Sequence, residues 1–349
     1  MGDATTVVRG AAVQAAPVFL DRAASVDKAI GLIEEAGENR AQIVGFPEGF
    51  IPAHPIWFHF HSGTDRTGTR LAVELFKNAV EVPGPEIEAL AAAAARASAY
   101  VVIGVCERIP GTFGTLYNTQ VFISPDDGYV GKHQKLVPTV GERLVHRPGG
   151  PETFGVFPSP WGPVSGLMCG ENSNPLAIFA LTAEATRVHV MAWPNHFPKP
   201  AVPMPEISLT AARAFAQMSK AWVISAAAVV DDRIREMVSV RDEDESFLER
   251  DDIGGGSCIV APDTRVAVGP FVGNEELILY ADMDFDVGIR MKLRHDLAGH
   301  YNRPDMFRLL VNKQAAPLMH AAGGDALSAP YEPLMLESVD PALLADDND

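Results

Sequence analysis

A cysteine at the end of a short apolar run holds the most chemical promise in this chain. Val164 to Met168 reads as a strand, Cys169-Gly170 as a tight turn, and a helix begins near Asn174-Pro175. A thiol at such an elbow projects from the end of a sheet, beside the free N–H groups that begin a helix. Those groups and the helix dipole favour a thiolate and developing negative charge. The chemistry that follows is nucleophilic attack on an electrophilic carbon, with a covalent intermediate.

Three other segments carry groups that such a nucleophile needs. In Gly45-Phe46-Pro47-Glu48-Gly49-Phe50-Ile51-Pro52 a carboxylate ends a buried strand among Phe and Pro. Desolvation there raises a carboxyl pKa and suits it to proton transfer. The competing reading is a capping or salt-bridged glutamate. In Lys132-His133-Gln134-Lys135-Leu136-Val137-Pro138-Thr139, Lys135 stands between a turn and an apolar stretch and could enter a site as a fixed cation. A surface lysine is the alternative. In Gly141-Glu142-Arg143-Leu144, Glu142 could neutralise or orient that lysine, or form a surface pair with Arg143. His59 and His61 lie among aromatic residues with no carboxylate or cysteine at ligand spacing, so they read as loop packing rather than a metal site. Cys106 sits in an apolar strand and Cys258 begins one, and both read as structural.

Alternating elements must position these groups. Strands are expected at Val7–Ala15, Ala41–Phe46, Tyr100–Val105, Tyr117–Ile123, Val164–Met168, Val188–Ala192, Trp222–Val230, Ser257–Ala261, Arg265–Val268 and Leu277–Asp282. Helices are expected at Arg22–Ala36, Leu71–Val80, Glu86–Ser98, Pro175–Ala185 and Ser208–Lys220. The Arg241–Asp252 charge run reads as a solvated loop or helix face. This is an α/β chain whose linkers are too short to mark a domain boundary.

Composition narrows the class. The 349 residues are 47% hydrophobic and 21% charged, enough for a substantial core. A net charge of −17 argues against nucleic acid and against anionic membrane surfaces as partners. Three scattered cysteines, without a Cys-x-x-Cys pair, argue against a disulfide framework or zinc ribbon. The N-terminus has no signal-type segment, and a reducing, cytoplasmic compartment is expected.

Taken in order, these segments resemble the nitrilase superfamily, on its nitrilase branch. The pattern there is a Glu after a strand, a Lys in a Lys-Leu-x-Pro-type segment, and a Cys in a strand-to-helix elbow. Here these are Glu48, Lys135 and Cys169, with Glu142 matching a second glutamate after the lysine. Phe46-Pro47-Glu48, Gly141-Glu142-Arg143, Cys169-Gly170-Glu171-Asn172, Trp193-Pro194, Gly254-Gly255-Gly256-Ser257 and His300-Tyr301-Asn302-Arg303-Pro304-Asp305 extend the likeness over residues 7 to 312. Two positions depart from it. Gly170 stands where many nitrilases have Trp, and Ala53-His54-Pro55 where many have Gly-Tyr-Pro.

The resemblance implies an αββα sandwich, two sheets with helices outside, as one domain over residues 1–320. The tail, 321–349, would be mobile or an oligomer contact. It implies dimers with an αββααββα core and larger spiral homo-oligomers, with Phe58–Lys77 and Arg241–Asp252 as candidate contacts. It implies hydrolysis of an organic nitrile, arylaliphatic or aliphatic, to a carboxylic acid and ammonia, with no metal or cofactor called for. Cys169 would be the nucleophile, Glu48 the base, and Lys135 and the Gly170 N–H the stabilisers of charge. Glu142 would support them, and His54, Trp193, Asn195 and His196 would contact substrate. Three rivals share the fold: an amidase or carbamoylase, a nitrile-hydrating enzyme that stops at the amide, and a non-catalytic scaffold.

Overall fold

The computed structural model describes residues 7–197 and 202–315. Strand β1 (Val7–Gln14) and helix α1 (Arg22–Glu38) lead into β2 (Ile43–Gly45). After a loop come α2 (Arg66–Asn78), α3 (Pro85–Ala97), and the meander β3 (Tyr100–Arg108), β4 (Leu116–Ser124) and β5 (Gly128–Gln134). The second half runs β6 (Val156–Phe157), β7 (Val164–Met168), α4 (Pro175–Ala183), β8 (Val188–Trp193), α5 (Met204–Ser219) and β9 (Trp222–Ala227). It closes with α6 (Asp232–Val238), α7 (Asp242–Leu248), β10 (Gly255–Val260), β11 (Val266–Val272), β12 (Leu277–Asp284) and α8 (Phe285–Arg294).

The strands make two six-stranded sheets, ordered β12-β1-β2-β3-β4-β5 and β11-β10-β9-β8-β7-β6. In each, a parallel centre (β1-β2-β3 and β7-β8-β9) is flanked by antiparallel strands. Three apolar layers explain why these segments stack. Between the sheets, Val8, Ile43, Val102 and Phe122 meet Val164, Val190, Ile224 and Ile259. Outside the first sheet, Val26, Ala29 and Ile33 of α1 and Ile87, Leu90 and Ala94 of α3 cover Val44, Val101 and Ile103. Outside the second, Ile178 and Leu181 of α4 and Ala212, Phe215 and Ala216 of α5 cover Leu167, Met191 and Val223. This is the expected αββα arrangement. Central strands buried on both faces read as continuous apolar runs, and so were visible in the sequence.

Several elements differ from expectation. Strand β5, Gly-Tyr-Val-Gly-Lys-His-Gln, was not anticipated, because a half-exposed edge strand with two glycines shows no alternation. Helix α2 starts at Arg66, five residues early, because the Asp65 carboxylate caps it by accepting from the Thr67 N–H at 2.6 Å. The charge run takes the helical of its two expected forms, α7, but is not wholly solvated: Asp244 accepts from Arg241 and Leu248 turns inward. Helices α6 and α8, of 7 and 10 residues, were also not anticipated; each is short, and its apolar residues (Ile234, Met237 and Val238; Phe285, Ile289 and Leu293) span only two or three turns. No helix among the described residues is long and apolar enough to cross a membrane. The tail expected at 321–349 lies outside the described residues.

Candidate active site

Parallel strands present their C-terminal ends to one edge of the sandwich, and the loops that leave them carry the chemistry. From β2 the chain passes through Phe46 and Pro47 to Glu48. The Phe46 N–H donates to Val102 O of the first sheet at 2.8 Å, and the Glu48 N–H to Trp193 O of the second at 3.2 Å. Glu48 thereby straddles both sheets. Two glycines make room. A Cβ on Gly104 would lie 2.4 Å from Pro47 O, and Gly49 has φ +60° with His54 N packed against it.

Strand β5 delivers Lys135, whose N–H donates to Asn118 O of β4 at 2.8 Å. A single 3-10 turn, Val140–Leu144, delivers Glu142. Thr139 and Glu142 cap that turn reciprocally, the Thr139 N–H donating to Glu142 Oε2 at 2.8 Å.

These side chains form one buried cluster. Lys135 Nζ donates to Glu48 Oε1 and to Glu142 Oε2, both at 2.7 Å. Asn118 Nδ2 spans the same pair, at 2.6 Å from Glu48 Oε1 and 2.7 Å from Glu142 Oε1. His146 Nδ1 lies 3.1 Å from Glu142 Oε1. Glu142 thus has four donors. Glu48 has two, both on one oxygen, and its buried Oε2 has no partner among the described residues.

The electrostatics follow that imbalance. Burial pushes the Glu48 carboxyl up to about 7, against the pull of Lys135 and with the help of the Glu142 charge. Burial also acts on Glu142, but the His146 hydrogen bond and the Lys135 charge outweigh it and hold this carboxyl far below the usual range. Burial works against the Lys135 charge too, and the charges of Glu48, Cys169 and Glu142 more than restore it.

Cys169 occupies the predicted elbow, between β7 and a short 3-10 turn, Cys169–Ser173. Its φ is +48°, a conformation a cysteine adopts only when its surroundings impose it. Those surroundings are visible. Glu171 accepts from the Met168 N–H at 2.9 Å and from the Leu136 N–H at 2.6 Å, tying the elbow to the lysine segment. Asn172 Nδ2 donates to Leu167 O and Cys169 O, both at 3.1 Å, and Asn172 Oδ1 meets His189 Nε2 at 2.9 Å. His189 in turn contacts Ser165 Oγ at 2.8 Å and stacks on Phe215. Burial, then the Glu48 charge, push the Cys169 thiol up to about 12, while Lys135 and the Gly170 N–H pull the other way. Gly170 itself is exposed, and a Cβ there would meet only Thr139 Oγ1, at 4.0 Å.

The expected substrate contacts fall in different places. His54 joins the cluster, its Nδ1 3.4 Å from Glu48 Oε1 without hydrogen-bond alignment, and burial lowers its pKa to about 3. It is a neutral imidazole. Glu48, His54 and Glu142 offer atoms within 4.8 Å of one another, a spacing a cation could use, and Lys135 Nζ already contacts both carboxylates. Trp193 is buried in the second sheet with its indole N–H on Ser225 Oγ at 3.0 Å, so it is the Trp193 carbonyl that meets Glu48. Asn195 Nδ2 donates to His196 O at 3.2 Å. His196, fully buried, packs against Phe247, and burial lowers its pKa to about 4.

Sequence reasoning missed Asn118, His146 and the bracing roles of Glu171 and Asn172. One signal was available. Asn118-Thr119-Gln120 is a polar triplet inside an otherwise apolar strand, and three buried polar groups in a row need partners.

The chain was compared with known proteins. The carbon–nitrogen hydrolase family profile matches residues 9–292. "Nitrilase 2" of an unknown prokaryotic organism is 36% identical over 327 residues, covering 93% of this chain and 98% of that protein. An aliphatic nitrilase of Sinorhizobium fredii (strain HH103) is 37% identical over 316 residues, covering 88% and 97%. Among solved structures, a carbon–nitrogen hydrolase from Helicobacter pylori G27 superposes with a TM-score of 0.66 at 14% identity, covering 86% of this chain and 97% of that one. At that identity the likeness speaks for the fold alone.

Proposed function

Because the chain belongs to the carbon–nitrogen hydrolase family, we propose that its buried Cys-Glu-Lys-Glu cluster hydrolyses an organic nitrile to the carboxylic acid and ammonia. The observation that carries this reading is the unpaired Oε2 of Glu48, on a carboxyl raised to about 7, in a cluster whose other glutamate is saturated with donors. It is the proton acceptor that Cys169 requires. The nitrilase relatives point to the same chemistry.

In this reading the Cys169 thiol gives its proton to Glu48 as sulfur attacks the nitrile carbon, forming a thioimidate. Charge on the nitrogen is stabilised by Lys135 and the Gly170 N–H. Glu48 passes the thiol proton to that nitrogen and is a base again. It takes a proton from water as the oxygen adds to the thioimidate carbon, and hands it to the nitrogen. It then relays the remaining hydroxyl proton as the C–N bond breaks, so that ammonia leaves and a thioester carbonyl forms. The resulting thioester takes a second water and releases the acid, restoring the thiol. Glu142 stays ionised throughout and holds Lys135 in place. His54, neutral and beside Glu48, borders the substrate, and Asn195 and His196 belong to the loop that closes the site. The high pKa of Cys169 makes proton transfer part of the reaction rather than a resting state.

The reading takes residues 1–320 as one catalytic unit that assembles as a homodimer or larger spiral homo-oligomer. Light scattering that shows a stable monomer would refute the assembly. A reducing, cytoplasmic setting would keep Cys106, Cys169 and Cys258 as the free thiols they are here.

The test is ammonia release from phenylacetonitrile, benzonitrile, an aliphatic dinitrile, cyanide and the matching amides, with a Cys169→Ala control. Acid and ammonia from a nitrile, absent in the control, support the proposal. Ammonia from amides alone moves the chain to amide hydrolysis, and an amide as end product moves it to nitrile hydration.

A further inference from the structure

A buried histidine and a buried thiol stand in line behind Glu142. His146 follows Glu142 by four residues, and its N–H donates to Glu142 O at 2.8 Å. Its ring lies between two partners. Nδ1 is 3.1 Å from Glu142 Oε1, and Nε2 is 3.3 Å from Cys106 Sγ of β3. Both residues are buried, Cys106 at 1% exposure and His146 at 4%. Burial and the charges of Glu107 and Glu142 push the Cys106 thiol well above its ordinary range, so it keeps its proton. With the thiol protonated, the tautomer that satisfies all three groups has the S–H donating to Nε2 and Nδ1–H donating to Glu142. The arrangement is a relay of donors, Cys106 to His146 to Glu142.

The two glutamates are otherwise matched. Both accept from Lys135 Nζ, and both accept from Asn118 Nδ2. What Glu142 has and Glu48 lacks is the Thr139 N–H and His146. We infer that His146, its tautomer set by the Cys106 S–H, is a positioning residue that keeps Glu142 as the permanent anion of the site and so reserves Glu48 for proton transfer. The inference rests on the cysteine–glutamate mechanism proposed above. The groups that face this pair from neighbouring elements are Lys135 at the end of β5, Asn118 of β4, Cys106 and Glu107 of β3, and His54 and Glu48 from the loop after β2.

Removing a donor from a carboxylate raises its proton affinity. Without His146 the two glutamates compete for one proton, and the pair takes it up at higher pH. His146→Leu should lower kcat about tenfold or more, with KM little changed, and move the acid limb of the kcat profile to higher pH. His146→Asn places an amide N–H near the Nδ1 position and should restore most of the rate and the wild-type limb. Cys106→Ala, which leaves Glu142 untouched, should move the limb in the same direction by a smaller amount. It also serves as the test if His146→Leu does not fold.

Alkylation of Cys169 by iodoacetamide across pH, read by mass spectrometry of its peptide, is measured beside turnover. It follows the thiol's proton without requiring the right nitrile. A shifted alkylation profile in His146→Leu and Cys106→Ala, rescued in His146→Asn, supports the inference even if no nitrile is turned over. Unchanged profiles in both variants overturn it. So does a rate loss in His146→Leu that His146→Asn fails to rescue. Wild-type alkylation that is indifferent to Glu48→Gln overturns the underlying mechanism instead.

Discussion

Two buried polar networks meet at the nucleophile, and they are built to opposite standards. Beneath the elbow, Glu171 and Asn172 use both ends of their side chains. Glu171 receives N–H groups from two segments, while Asn172 grips two carbonyls and His189. Across the site, Glu48 leaves Oε2 bare, and Asn118 Oδ1 and His54 Nδ1 are bare beside it. A buried polar atom without a partner costs about 1–3 kcal/mol. At Glu48 such a cost falls where a proton is to be received, while the hydrogen bonds of Glu171 and Asn172 hold an unfavourable backbone angle in place. One network sets position and the other does chemistry.

The sharpest way to break this contrast is to disable each side in turn. Lys135→Met leaves two carboxylates facing each other without their cation, and turnover should fall by about a thousandfold or more, as for groups that act as a unit. Steady-state ammonia release measures it, and a loss of less than tenfold would mean the cluster is structural. Glu171→Gln on the other side keeps an acceptor but removes the charge shared by two backbone N–H groups and the His133 ring. It should cost about 1–3 kcal/mol of stability by urea unfolding, with a smaller loss of kcat than Lys135→Met. If the rate losses rank the other way, position and chemistry are not divided as described.

Glu48 makes a prediction about stability with a definite sign. Its folded pKa, about 7, lies above the ordinary carboxyl value of 4.5, so between these pH values the folded state holds a proton that the unfolded chain has lost. Its contribution is fully present below pH 4.5 and is lost as pH rises through 7. Glu48→Gln removes this loss. The variant should therefore gain in Tm relative to the parent between pH 4.5 and 7, then hold that gain. A difference that shrinks with rising pH would show that Lys135 keeps Glu48 ionised.

The smallest effect concerns Val140, the exposed first residue of the turn that carries Glu142, with φ +49°. A β-branched residue is strained there, and Val140→Asn should raise stability by about 0.5–1.5 kcal/mol by urea unfolding. No gain would mean that Val140 has compensating contacts.

The reacting groups were legible because each stands beside strong local punctuation. Glu48 follows Phe-Pro at a strand end, Cys169 interrupts an apolar run before Gly, and Lys135 precedes Leu-Val-Pro. The groups that hold them were not. Asn118 lies in mid-strand and His146 one turn past Glu142, and their meaning exists only once β3, β4 and the 3-10 turn have been brought together. The central strands were found because they are apolar throughout. Strand β5, which aims Lys135, was missed because its pairing with β4 rests on backbone bonds that any sequence can make.

One pairing governs when this molecule can exist at all. Strand β1 is matched residue for residue with β12, Val7 against Asp284 through Gln14 against Leu277. Partners so far apart close a very large loop. At about 5–20 residues per second, roughly 260 residues of synthesis separate the first strand from its neighbour, on the order of 15 to 50 s on the ribosome. Throughout that interval one edge of β1 is an open template for wrong partners. Chaperone supply or a lower culture temperature during that interval should therefore raise the yield of folded protein.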